Sequence, residues 1–284
     1  MKPAFQKDSA FLADVRRTLN AETSRLWWLG QSGFLVAQNG RALLLDPYLS
    51  ESLTHKYANS DKPHTRITER VIAPGELGRI GVIDCITSSH NHTDHLDAET
   101  LLPLLETNPQ ARLVIPKANH DFVLQRLGST IAPKLVQVDH GLSVHLSDLE
   151  IHGIASAHPT IERNSSAQCH FLGYVLRWGG FTLYHSGDTL WHDGLISSLK
   201  PFAIDIALLP INGDRPERRV AGNLDGHQAA QLAKAIGARI VIPCHFDLFE
   251  FNTANPDEFI AECRRIGQSF EILQNGQGFD LHPV

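Results

Sequence analysis

The 284-residue chain is short of several things that would place it in an extreme class. It has one methionine and four cysteines, Cys85, Cys169, Cys244 and Cys263, with no CxxC pair and no framework-like spacing. Reduced thiols in a cytoplasmic protein are the plain reading of that usage. No run of 18 apolar residues exists, so no membrane span is expected. There is no basic excess: the net charge is −6, which argues against a partner such as nucleic acid held on a broad cationic face. The N-terminal stretch MKPAFQKDSAFLADVRRTLN interrupts its apolar residues with charges and does not read as a signal peptide. Repeats, low-complexity tracts and linkers are missing too, so one domain is expected over 1–284. What the chain has in excess is histidine, 16 residues.

The order of patterns suggests an α/β protein. Residues 5–20 carry Phe5, Phe11, Leu12, Val15 and Leu19 at helical spacing, a peripheral N-terminal segment within 1–24. Strand-like runs follow at LWWLG, GFLVAQ and RALLLDPYL, with Asn39-Gly40 as a hairpin turn. Residues 50–75 are polar and irregular, an excursion expected near a site. IGVIDCITSSH is a buried strand, DAETLLPLLE a helix capped by Asp97 and disturbed by Pro103, RLVIP a strand, and KANHDFVLQRLG a helix closed by Gly128. A succession of strands comes next, from KLVQV to FTLYHSG. AIDIALLP and ARIVIPCHF are strands around a helix capped by Asp225, NPDEFIAECRRIG is a helix, and FEILQ at 270–274 is expected to be the last strand. Two β-rich halves, each with helices, suggest two mixed sheets packed face to face with helices outside.

The densest chemistry is HNHTDH, from His90 to His95, directly after the buried strand. Imidazole and carboxylate are ligands of zinc and similar ions, and a catalytic site leaves one position open. Residues two apart in an extended loop point the same way, so His90 and His92 can grip one ion. Once the loop turns into a helix, Asp94 and His95 can face a second. Distant strand ends supply the remainder: His158 after GIASAHPT, Asp188 in LYHSGDT and His245 in VIPCHFD. One ion would take His90, His92 and His158, the other Asp94, His95 and His245, with Asp188 able to bridge. His158 is preferred to His170 because it opens a loop after a strand. Cys244 on a strand should point away from His245 and pack in the core, and Trp27 and Trp28 read as packing.

This run resembles the HxHxDH signature of the metallo-β-lactamase superfamily, and His158, Asp188 and His245 resemble its later metal motifs in the right order. The resemblance extends from Leu26 to Phe279. It implies a four-layer αβ/βα sandwich and a metal-dependent hydrolase. Asp46 in LLLDPYL matches the aspartate that supports the metal loop from behind, a sensible place for a carboxylate that orients ligands. Within the superfamily, WWLGQSGF, LYHSGDT, IDIALLPINGD and GARIVIPCHFDLF look like the L-ascorbate-6-phosphate lactonase branch, although the chain is shorter than that branch between His158 and Tyr174.

The expected reaction is attack by a metal-bound hydroxide on a small ester or lactone, such as a phosphorylated sugar-acid lactone. Asp94 is the expected catalytic residue, orienting the water and taking its proton. A phosphodiesterase with the same site, and a metal-binding sensor without turnover, are the competing readings. One or two divalent ions are expected; zinc suits the histidines, and manganese or iron suits the carboxylates. His185, two residues before the Gly-Asp turn, is expected to support the ligands from behind. Arg215, Arg218 and Arg219 in NGDRPERRVAGN are candidate holders of an anionic substrate, because a guanidinium fork suits phosphate. Association with further copies through the N-terminal helix is a further expectation.

Overall fold

The computed structural model describes residues 1–21 and 23–281. Residue 22, inside the expected N-terminal segment, and residues 282–284, at the end of the expected domain, lie outside the described residues.

The first half begins with helix α1 (Asp8–Leu19) and an antiparallel meander of β1 (Ser24–Gly30), β2 (Gly33–Gln38) and β3 (Arg41–Leu45). Short helices α2 (Ser52–Lys56) and α3 (Pro74–Gly78) lead to β4 (Ile83–Thr87), α4 (Ala98–Thr107), β5 (Arg112–Pro116), α5 (His120–Leu127) and β6 (Leu135–Val138). The second half runs through β7 (Ser143–Leu146), β8 (Leu149–Ala155), β9 (Leu172–Trp178) and β10 (Phe181–His185). It continues with α6 (Leu195–Leu199), β11 (Ile206–Pro210), α7 (Gly226–Ile236), β12 (Ile240–Cys244), α8 (Asp257–Ile266) and β13 (Gly278–Leu281).

The strands form a seven-stranded sheet, β13-β1-β2-β3-β4-β5-β6, and a six-stranded sheet, β12-β11-β10-β9-β8-β7. Alternation along β1 shows how they stack. Leu26 and Trp28 face the second sheet, whereas Trp27 and Leu29 face the opposite way, onto the outer helices with Phe11, Val15 and Leu104. On the other side, Ala229, Leu232 and Ala233 of α7 close over β11 and β12. The result is the expected αβ/βα sandwich of two mixed sheets. Its β3–β4–β5–β6 and β10–β11–β12 pairings are parallel, so several strands deliver their C-terminal loops to one edge.

Three local expectations need correction. FEILQ is not a strand: Phe270 makes one isolated bridge to Val241, and the ladder goes no further. Phe270, Ile272 and Leu273 are apolar because they pack on the core without strand pairing. The last strand is instead β13, antiparallel to β1. Pro103 does not interrupt its helix, since the lost N–H removes one bond while Leu101, Leu104 and Leu105 anchor α4 to the sheet. The KANHDFVLQRLG helix splits, with a 3-10 turn over Lys117–Asn119 before α5. The expected capping at Asp225 is present as a reciprocal box with Gln228. All four cysteines are free and buried, and among the described residues no helix is long and apolar enough to cross a membrane.

Candidate metal centre

The site is assembled at the C-terminal ends of strands. β4 ends at Thr87 and releases the chain into the 88–95 loop, and β3 ends just before Asp46. His158 follows β8, Asp188 follows β10, and His245 follows β12 at φ 60°. Gly187 has φ 58°, and a Cβ there would lie 2.5 Å from the Cβ of Ser89. Glycine is therefore required for the Asp188 turn to close against the histidine loop.

Asp46, fully buried, organises that loop. Its Oδ1 accepts from Thr87 Oγ1 at 3.1 Å and from the Ser89 amide at 3.0 Å. Its Oδ2 accepts from Ser89 Oγ and lies 2.7 Å from His95 Nδ1. A proton on Nδ1 leaves the Nε2 lone pair of His95 directed into the cluster. Ser89 Oγ similarly lies 3.0 Å from His90 Nδ1, and the Gly222 carbonyl 2.9 Å from His158 Nδ1. Each of these three imidazoles is thus held by one nitrogen and offers the other.

The offered atoms converge in two groups. His90, His92, His158 and Asp188 form one set, and Asp94, His95 and His245 another, with ligand atoms in each set within 4.8 Å of one another. Asp188 stands between them: Oδ1 is 3.3 Å from His95 Nε2, while Oδ2 is 3.3 Å from His245 Nε2 and 3.8 Å from His158 Nε2. His95 Nε2 and His245 Nε2 lie 3.7 and 3.6 Å from Asp94 Oδ2. A third grouping, Asp46 with His90 and His95, is better read as support, because both Asp46 oxygens already accept hydrogen bonds.

The donor set fits a divalent cation. Among the described residues, His90 Nε2, His95 Nε2 and Asp188 Oδ1 are buried with no hydrogen-bond partner. Leaving a buried polar atom unpaired costs about 1–3 kcal/mol, and a cation would satisfy all three. Burial, aided by the neighbouring His95 and His92, pushes His90 well below the usual histidine range. Burial works against charge on His95 and Asp188 as well, but their mutual attraction outweighs it: Asp188 and Asp94 raise His95, while His245 and His95 hold Asp188 well below the carboxylate range.

A cavity of about 420 Å³ opens over this cluster. His92, Asp94, His158, Asp188 and His245 line it. Arg215, Arg218 and Arg219 do not. Arg218 is committed to the carbonyls of Asn212 (2.6 Å) and Thr253 (2.6 Å) and to Asn252 Oδ1 (3.0 Å), acceptors within easy reach of its turn. Arg219 pairs with Asp61 at the surface, and Arg215 borders a separate cavity with Asp214, Asp257 and Glu258. Their loop reaches the site through Val220, Ala221 and the Gly222 carbonyl. His185 lies on β10 with Nε2 2.8 Å from the Ser32 carbonyl, and makes no hydrogen bond to the clustered residues. His170 is engaged by Asn119, and His192 by the Ala155 carbonyl. Sequence reasoning missed Gln31, Lys56, His64 and Arg126, which line the cavity. Gln31 stood inside the quoted WWLGQSGF; the others sit in helices or loops without a distinctive pattern.

Residues 25–245 match the model of the Beta-lactamase superfamily domain. A UPF0173 metal-dependent hydrolase of Alkaliphilus metalliredigens is 30% identical over 83% of this chain and 91% of its own length. One from Rubrobacter xylanophilus is 26% identical over 91% and 96%. Among solved structures, Igni18, a metallo hydrolase from Ignicoccus hospitalis, superposes with a TM-score of 0.66 at 20% identity, covering 92% of this chain and 99% of that one. The chain belongs to the metallo-β-lactamase superfamily, within its UPF0173 metal-dependent hydrolases.

Proposed function

We propose that the chain hydrolyses a small ester or lactone carrying an anionic group, with one divalent ion held by His90, His92, His158 and Asp188 and a second by Asp94, His95 and His245. The observation carrying this reading is the set of buried, unpartnered ligand atoms, His90 Nε2, His95 Nε2 and Asp188 Oδ1, beneath an open cavity. A divalent ion bound there lowers the pKa of its water to about 7 and polarises the oxygen of the group under attack. Each set pairs histidines with one carboxylate; the histidines suit zinc, and the carboxylates admit manganese or iron.

The protein's own groups do the remaining work. Asp46 and the Gly222 carbonyl fix His95 and His158 in the tautomer that presents Nε2. Asp94, half-buried at the cavity wall, orients the attacking water and takes its proton. Arg126 and Lys56 receive the anionic part of the substrate. Both line the cavity, and among the described residues neither has a carboxylate oxygen within 4.0 Å. Arg126 donates Nη1 to the Asn91 carbonyl at 2.6 Å, which leaves its other nitrogens for a ligand.

L-Ascorbate 6-phosphate is the first substrate to test, by proton release under anaerobic conditions with and without chelator. Chelator-sensitive release supports the lactonase reading. Turnover of bis(4-nitrophenyl) phosphate with no release from lactones would replace it with a phosphodiesterase. Metal binding without turnover of either would point to the non-catalytic alternative.

A further inference from the structure

The two ligand sets are not equivalent, and the difference lies in Gln31. This residue sits in the tight β1–β2 turn, directly after Gly30, with φ 49°, a left-handed conformation unusual for a side-chain-bearing residue. The strain is held from two directions, because the Gln31 carbonyl accepts from the Trp28 indole at 3.0 Å and from the His245 amide at 2.9 Å. With its backbone pinned, the side chain is buried (3% exposed) and enters the cluster amide-first. Nε2 donates to Asp94 Oδ2 at 2.8 Å and lies 3.1 Å from His245 Nε2. Those are two of the three ligand atoms of the second set. In the first set, by contrast, His90 Nε2 is buried without a partner, and no protein donor reaches His158 Nε2 or the His92 imidazole among the described residues.

We propose that Gln31 is a gate on the second ion: its side-chain amide competes with a cation for Asp94 Oδ2 and His245 Nε2, so the Asp94–His95–His245 set binds metal more weakly than the His90–His92–His158–Asp188 set. The physical conflict is direct. Amide hydrogens aimed at an acceptor pair carry partial positive charge, and a divalent ion at the same pair faces them at close range. An ion would enter only when the hydrogen bond to the Asp94 carboxylate breaks and the amide turns away. The chain thus has a built-in preference for one ion at low metal and two at high metal. The inference rests on both sets holding ions.

The test is isothermal titration of Mn²⁺ into chelator-stripped protein. The wild type should show two classes of site, the second weaker by about tenfold or more, the scale of one charge-assisted hydrogen bond lost on binding. The weaker class should vanish in Asp94→Asn, which assigns it to the second set. Gln31→Ala should tighten that class by about tenfold, and Gln31→Glu further, because a carboxylate replaces the competing donor. Circular dichroism melts of the variants check that they fold. Two equal classes in the wild type, or a weaker class unchanged or loosened in Gln31→Ala, overturns the gate. Absence of any Mn²⁺ or Zn²⁺ binding overturns the two-ion reading itself.

Discussion

The loop at 90–95 and the loop at 215–219 are alike on paper. Each is dense in ionisable side chains, and each follows a buried strand, β4 in one case and β11 in the other. The structure uses them in opposite ways. Around His95 and Asp188 the protein leaves buried polar atoms, His95 Nε2 and Asp188 Oδ1, without a hydrogen-bond partner among the described residues. Around Arg218 it supplies three acceptors, so the guanidinium closes a loop and has little left to offer a ligand. A functional group is marked by buried capacity that the protein leaves unfilled, and a cluster of charge by itself does not provide that.

The contrast is most exposed to failure at Asp188. Asp188→Asn should reduce turnover on the order of 10²–10³-fold or more while far-UV circular dichroism is retained. Wild-type turnover in that variant would dissolve the distinction between the loops. Next comes Asp46, which holds Ser89 and His95 and does not line the cavity over the cluster. Asp46→Asn should weaken metal binding roughly 10–100-fold, read by competition with a chelating dye.

Smaller effects belong to the arginine loop. Arg218→Ala should lower stability by about 1–3 kcal/mol in denaturant melts and leave metal affinity unaltered. Arg219→Ala, which removes an exposed pair with Asp61, should stay within about 0.5 kcal/mol of wild type. A Zn²⁺ or Mn²⁺ affinity that moved with either arginine would return that loop to the site.

Asp14 sharpens the comparison through pH. It is a buried carboxylate like Asp188, but both its oxygens have partners: Oδ2 accepts from Trp27 Nε1 at 2.8 Å and Gln6 Nε2 at 2.9 Å, and Oδ1 from Arg17 Nη1 at 3.4 Å. Burial raises its pKa, yet these donors together with Arg25 and Arg17 outweigh burial and hold it below the ordinary carboxylate range. A depressed folded-state pKa means the stabilisation is complete above the unfolded value, near 3.9, and is lost as pH falls through the folded one. Acid melts should therefore show a steeper stability loss below about pH 4 in wild type than in Asp14→Asn.

Much of this was legible before the fold. Period-two and helical patterns placed most elements, and HNHTDH with His158, Asp188 and His245 pointed to residues that the structure brings together. Asp46 was legible only through family resemblance, because one aspartate at a strand end has no pattern of its own. FEILQ misled because apolar side chains seek the core whether or not their backbone joins a ladder. Arg218 misled because the sequence does not reveal the carbonyls of Asn212 and Thr253 that claim it.

The sequence by itself determined the element pattern, the ligand types and the superfamily, since local periodicity and short-range spacing are properties of neighbouring residues. Only the tertiary structure decided which offered atoms stay unpaired, that Asp188 faces both sets, and that Gln31 rather than an arginine enters the cluster. Those are matters of distance between residues up to 214 positions apart, Gln31 and His245, and such distances exist only once the two sheets have packed.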